Sequence, residues 1–147
     1  MNKEQLYKKL TTDIPLTRHL GFEILEATPE KVHLRAQLKE NINHKSTAFG
    51  GSIYTLSVLA AYSLVYLGLD KENIQTNNIV IQKGEIKYLH PVTEDFDVIC
   101  EFNKPELYQK FFYCLDRWKK VRELMKVQVI CKGRVCAQLE GVFVVQL

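Results

Sequence analysis

Between Lys45 and Asp70 the chain carries no charged side chain. A stretch of that length must leave water, either for a bilayer or for the inside of a protein whose other elements cover it. The residues favour the second. The stretch opens on Ser46-Thr47 and Gly50-Gly51-Ser52 and later carries Thr55, Ser57 and Ser63. Its strictly apolar part therefore only reaches the minimum for a membrane crossing. Segments of alternating polar and apolar residues follow it, as in a sheet with one wet face. The sequence thus predicts one long buried helix from near Gly51 to Gly68-Leu69-Asp70, within a single domain over residues 1–147.

The flanking segments supply the cover. Leu6, Tyr7 and Leu10 fit a short amphipathic helix. Asp13-Ile14-Pro15 reads as the capped start of a second, which Gly21 stops, so residues 1–21 are N-terminal helices. Phe22–Thr28 and the alternating Val32, Leu34, Ala36 and Leu38 read as a hairpin about a Pro29-Glu30 turn. Residues 40–49 form a polar loop into the long helix. After it, Ile79 and Ile81 alternate in one phase and Ile86 and Tyr88 in the other, which places a bulge at Gly84. Phe96 to Phe102 is a further strand, and Pro105-Glu106 starts a short helix with Leu107, Phe111 and Leu115 on one face. Met125 to Cys131 turns at Lys132-Gly133 into a last strand through Val145. The fold class is α+β, an antiparallel sheet wrapped around one helix.

Composition narrows the function. Twenty basic residues against 17 acidic leave a net charge of +3, too little to imply a nucleic-acid partner. Cys100, Cys114, Cys131 and Cys136 show no Cys-x-x-Cys pair and no histidine at zinc spacing, so they read as reduced thiols without a metal. Met1 to Gln5 leads into no apolar signal segment, which points to the cytoplasm and away from the membrane.

The chemistry concentrates in Asn43-His44-Lys45-Ser46-Thr47-Ala48-Phe49-Gly50-Gly51-Ser52. Paired glycines at the mouth of a buried helix clear side chains where backbone meets a ligand, or where helix meets sheet. The first amides of a helix lack intrahelical partners and carry the positive end of its dipole. Such an end suits a carbonyl oxygen that turns negative as its carbon is attacked.

From Ile14-Pro15-Leu16 to Val144 the chain resembles the thioesterases of the hotdog-fold superfamily, in particular the branch sometimes fused behind an acetyltransferase domain. The resemblance rests on Asn41-x-Asn43, on Thr47-x-Phe49-Gly50-Gly51-Ser52 with the helix behind it, and on Ile86-Lys87-Tyr88-Leu89-His90-Pro91-Val92. It implies hydrolysis of acyl-coenzyme A or acyl-carrier-protein thioesters, with coenzyme A as part of the substrate and no separate cofactor. It also implies a homo-oligomer, a dimer or dimer of dimers joined edge to edge, with sites at the subunit boundary. On this match the Gly51 amide polarises the thioester carbonyl. Asn43, with a hydroxyl of Thr47 or Ser52, holds the attacking water, and Phe49, Gly50, Tyr88 and His90 contact substrate. Two departures stand out. Phe49 replaces the histidine of the family's His-Gly-Gly motif, and Ser57 and Val58 stand where many relatives carry a helix carboxylate.

Each residue also has a plainer reading. Asn43 suits an Asx turn, Thr47 or Ser52 a helix cap, and His44 an idle loop position. His90 suits a strand end before Pro91. Glu94 and Asp95 either reach a neighbouring subunit's site or are solvated. The basic run Arg117-Trp118-Lys119-Lys120-Val121-Arg122 fits either the phosphates and adenine of coenzyme A or a solvated turn. The missing carboxylate leaves open a non-catalytic acyl-thioester-binding domain.

Overall fold

The computed structural model describes residues 1–147. Helix α1 (Lys3–Asp13) starts with a capping box: Asn2 accepts from the Gln5 amide while the Gln5 side chain accepts from the Asn2 amide. A 3₁₀ turn (Pro15–His19) follows, with no side-chain cap from Asp13. Gly21 then takes φ +54°, where a side chain would be strained. Strands β1 (Phe22–Ala27) and β2 (Lys31–Ala36) form the expected hairpin. Strand β2 ends short of Leu38, because the chain turns there into the one-turn helix α2 (Leu38–Asn41), whose first amide donates to Asp95 Oδ1 at 2.9 Å.

Helix α3 (Gly50–Lys71) is the long charge-poor segment. It is long and apolar enough to cross a membrane, yet two-thirds of its most apolar window is buried within the protein. Strands β3 (Ile79–Tyr88), β4 (Phe96–Glu101), β5 (Lys120–Cys131) and β6 (Arg134–Gln146) join the hairpin in one six-stranded antiparallel sheet of order β1-β2-β4-β5-β6-β3. Helix α4 (Pro105–Trp118) runs one turn beyond the reach of its Leu107, Phe111 and Leu115 face, so Arg117 and Trp118 belong to the helix. It packs Phe112 on Gly68 near the C-terminal end of α3, where a β-carbon on Gly68 would stand 2.4 Å from the ring.

The bulge in β3 falls at Gln82, between Ile81 and Lys83, and Gly84 pairs in register with Gly141. Gly84 is needed for a different reason. The Tyr54 phenol crosses it so closely that a β-carbon would lie 1.9 Å from Oη. Because β3 pairs only with β6, its other edge is open along ten residues. The four cysteines are free thiols; Cys100, Cys131 and Cys136 are buried in strands, and Cys114 lies half-buried on α4.

Candidate active site

The loop before α3 is held by its own backbone. Asn43 N–H donates to Thr47 O, and Ser46 N–H to Asn43 O, with Ser46 in the left-handed region at φ 61°. Ala48 N–H then donates to Val92 O at 2.9 Å and Phe49 N–H to Asn41 O at 2.7 Å. The first bond fixes the start of α3 beside the segment that leaves β3, and the second ties it to the end of α2. Asn41 is buried and braces the turn, donating through Nδ2 to Leu20 O and Gln37 O, both at 2.8 Å.

Phe49 is the N-cap and offers no acceptor to the first turn. The amides of Gly50, Gly51 and Ser52 consequently have no acceptor within the chain. Gly50 and Gly51 line a cleft of about 470 Å³ together with Thr47, Tyr88 and His90, with Ala48, Ile53, Leu89, Pro91 and Val92 as apolar wall. Unpaired donors, the positive end of a 22-residue helix and a partly apolar wall thus meet in one place.

The glycines are tied to named neighbours. A β-carbon on Gly51 would stand 2.5 Å from Phe49 Cε2, so the half-exposed Phe49 ring lies across this glycine, and one on Gly50 would stand 3.3 Å from Tyr88 Oη. Tyr88 donates from Oη to Gly50 O at 2.8 Å and so links β3 to the helix mouth. Loss of solvent, with Tyr54 adding to it, holds this phenol above its ordinary pKa. It is a neutral donor at neutral pH. His90 is exposed; its amide and that of Leu89 share Cys136 O at 3.1 and 2.8 Å, which anchors the segment to β6.

Of the other sequence-predicted residues, Thr47 lines the cleft, while Asn43, His44, Phe49, Ser52, Glu94 and Asp95 do not. Asn43 Oδ1 accepts from Lys45 N–H, Thr47 N–H and Thr47 Oγ1 at 2.9, 3.1 and 3.2 Å, the geometry of a loop brace. Neither Thr47 nor Ser52 caps α3, whose N-cap side chain makes no capping bond. Phe49 and Ser52 adjoin the lining residues in sequence but are not among them. Ser57, at the position of the relatives' carboxylate, is buried and donates to Ile53 O at 2.8 Å. His44 is exposed on the loop. Glu94 pairs with Lys132 at 3.7 Å, and Asp95 is taken by α2. The apolar wall from Ile53, Leu89 and Val92 went unread in sequence; apolar residues on either side of His90-Pro91 were its one available signal.

A long helix held in the curve of a six-stranded antiparallel sheet, with a glycine-lined cleft at its N-terminus, is the hotdog architecture. The chain matches the family described as "Putative thioesterase (yiiD_Cterm)" over residues 3–147 and belongs to it. Among solved structures it is similar to the "putative thioesterase" of Shewanella oneidensis at 30% identity, covering 99% of this chain and 97% of that one, with a TM-score of 0.86. A protein of unknown function from Chlorobaculum tepidum aligns at 28% identity over 98% of this chain and 93% of that one, TM-score 0.89. Mouse thioesterase superfamily member 2 shares the fold at 18% identity, 97% coverage of both chains and a TM-score of 0.69. The family and the Shewanella neighbour support thioesterase activity in general.

Proposed function

We propose that the protein hydrolyses acyl thioesters of coenzyme A or of an acyl carrier protein, holding the thioester oxygen on the Gly50 and Gly51 amides. The observation that carries this reading is the set of unpaired amides at the mouth of α3, opening on a cleft. Water adds to the thioester carbon, the oxyanion is held by the helix terminus, and the carbon–sulfur bond then breaks to give carboxylic acid and thiol. No carboxylate lines the cleft, and His90 is its only imidazole. His90 takes the proton from water and returns it to the departing sulfur. Asn43 acts by holding the loop, and Tyr88 by fixing β3 to Gly50 O.

The working unit is a dimer paired along the open edge of β3. Antiparallel pairing centred on Gly84 uses nearly the whole strand and sets Lys83 opposite Glu85 of the partner subunit, with Val80 opposite Tyr88 of the partner subunit. Both Val80 and Tyr88 are about half exposed in the single chain, apolar surface that this pairing covers.

Release of free thiol from a panel of acyl-coenzyme A substrates tests the reading; folded protein inert on every chain length overturns it. The absence of a carboxylate favours one second reading, an acyl-thioester-binding module. It predicts that non-hydrolysable acyl-coenzyme A analogues bind while no thiol is released.

A further inference from the structure

The amphipathic α4 buries Tyr108, Phe111, Phe112 and Leu115, yet leaves two large rings outside. Tyr113 is 64% exposed and Trp118 61%. They stand edge to face, centroids 6.2 Å apart at 89°, and Arg117 Cζ lies 6.0 Å from the centre of the Trp118 ring. Core packing does not account for this arrangement. The helix ends at Lys119, in the left-handed region at φ 58°, and the reversal brings Lys119 and Lys120 next to Trp118. Residues 117–122 hold four basic side chains and no acid. Asp116, 3.7 Å from Lys119 Nζ, is the anion paired with this run.

Exposed perpendicular rings with a guanidinium beside them suit a flat heterocycle, and the surrounding ammonium groups suit phosphates. We propose that the Tyr113–Trp118 corner, with Arg117, Lys119 and Lys120, binds the phosphorylated adenine nucleotide of the coenzyme A thioester. An acidic carrier protein would use the cations but leave the paired rings without a role.

This rests on the hydrolase reading and its paired β3 edges, and it assigns the nucleotide to the partner's cleft. Within one chain the corner and the cleft lie at opposite ends of α3, since Gly51 to Gly68 spans about 25 Å at helical rise. Across the sheet the corner is nearer the open edge. Leu147 N–H donates to Lys119 O at 2.9 Å, Lys120 pairs with Gln146, and Gln146 N–H donates to Asn78 O at 3.2 Å, at the start of β3. Antiparallel edges bring the start of one β3 beside the end of the other. The corner then lies about three strand spacings, roughly 15 Å, from His90 of the partner subunit, within reach of an extended pantetheine arm.

Trp118 is the only tryptophan in the chain, so its fluorescence reports this corner alone. Titrating the full-length protein with adenosine 3′,5′-bisphosphate should quench it saturably, and the double variant Arg117→Ala/Lys120→Ala should weaken the apparent affinity about tenfold. The same variant should raise KM for acyl-coenzyme A about tenfold relative to KM for the matching acyl-pantetheine. Absence of saturable quenching, quenching unchanged in the double variant, or an unchanged ratio of KM values overturns the proposal. Quenching without any thiol release would overturn the hydrolase reading and leave the nucleotide site standing.

Discussion

At the scale of single residues, groups that line the cleft are distinct from groups that hold the loop. Asn43 Oδ1 gathers three donors of its own turn. Asn43→Ala should therefore cost stability, about 1–3 kcal/mol from unpaired donors, read as a lower midpoint in urea. The His90 side chain is exposed and lines the cleft. His90→Gln should lower kcat on the order of 100-fold with the urea midpoint unchanged, and an equal loss in both measurements would remove its role as base. Cys100 gives a separate check on the core: burial, with Glu101 adding to it, pushes its thiol up to about 12. A raised pKa keeps the thiol neutral at pH 8, so Cys100 should resist a disulfide reagent until the protein unfolds. That the glycine pair and the histidine before Pro91 lie near one another was legible, because the paired glycines mark a helix mouth and His90 ends the strand expected to flank it. Asn43 was ambiguous in sequence, since an amide suits a bound water and an Asx turn equally well.

At the scale of elements, α3 trades stability for a vacant mouth. A side-chain acceptor at the N-cap would satisfy orphan amides that the proposed mechanism uses. Phe49→Asp should accordingly stabilise the fold by about 1 kcal/mol while reducing kcat, seen as a higher Tm together with slower thiol release. Faster or unchanged turnover would show that those amides do not serve the reaction. At the other end, Gly68→Ala sets a β-carbon against Phe112 and should destabilise by about 1–3 kcal/mol. Helices and strands were legible because their periods are written in apolar spacing. The bulge was misplaced by two residues because a glycine in a strand signals either a bulge or a close approach, and Gly84 answers to the Tyr54 ring. Strand β2 was read too long because Leu38 keeps the alternation while the Asp95 carboxylate, distant in sequence, draws its amide into α2.

At the scale of the whole molecule, strand order decides which surface remains open. The chain leaves β3 and returns to place β4 beside β2, so β3 ends at the sheet margin next to β6. Periodicity carries no information on that order, which is why the edge was invisible in sequence. Lys83, Gly84 and Glu85 lie at the middle of that edge, and the proposed pairing centred on Gly84 would make two reciprocal ion pairs. Lys83→Glu should shift the protein toward monomer in sedimentation velocity, and adding Glu85→Lys should restore the dimer. Monomer in the double variant would reject this register.

The proposed chemistry stands or falls with the first amides of α3 as the holders of the thioester oxygen. The chain has seven glycines, so selective ¹⁵N-glycine labelling gives a spectrum simple enough to assign. On adding a coenzyme A analogue whose thioester sulfur is replaced by methylene, which keeps the carbonyl and cannot be hydrolysed, the Gly50 and Gly51 amide protons should move downfield. Gly133, in an open turn, should stay in place. A saturable shift confined to other glycines, with Gly50 and Gly51 unmoved, would show that these amides do not hold the oxygen.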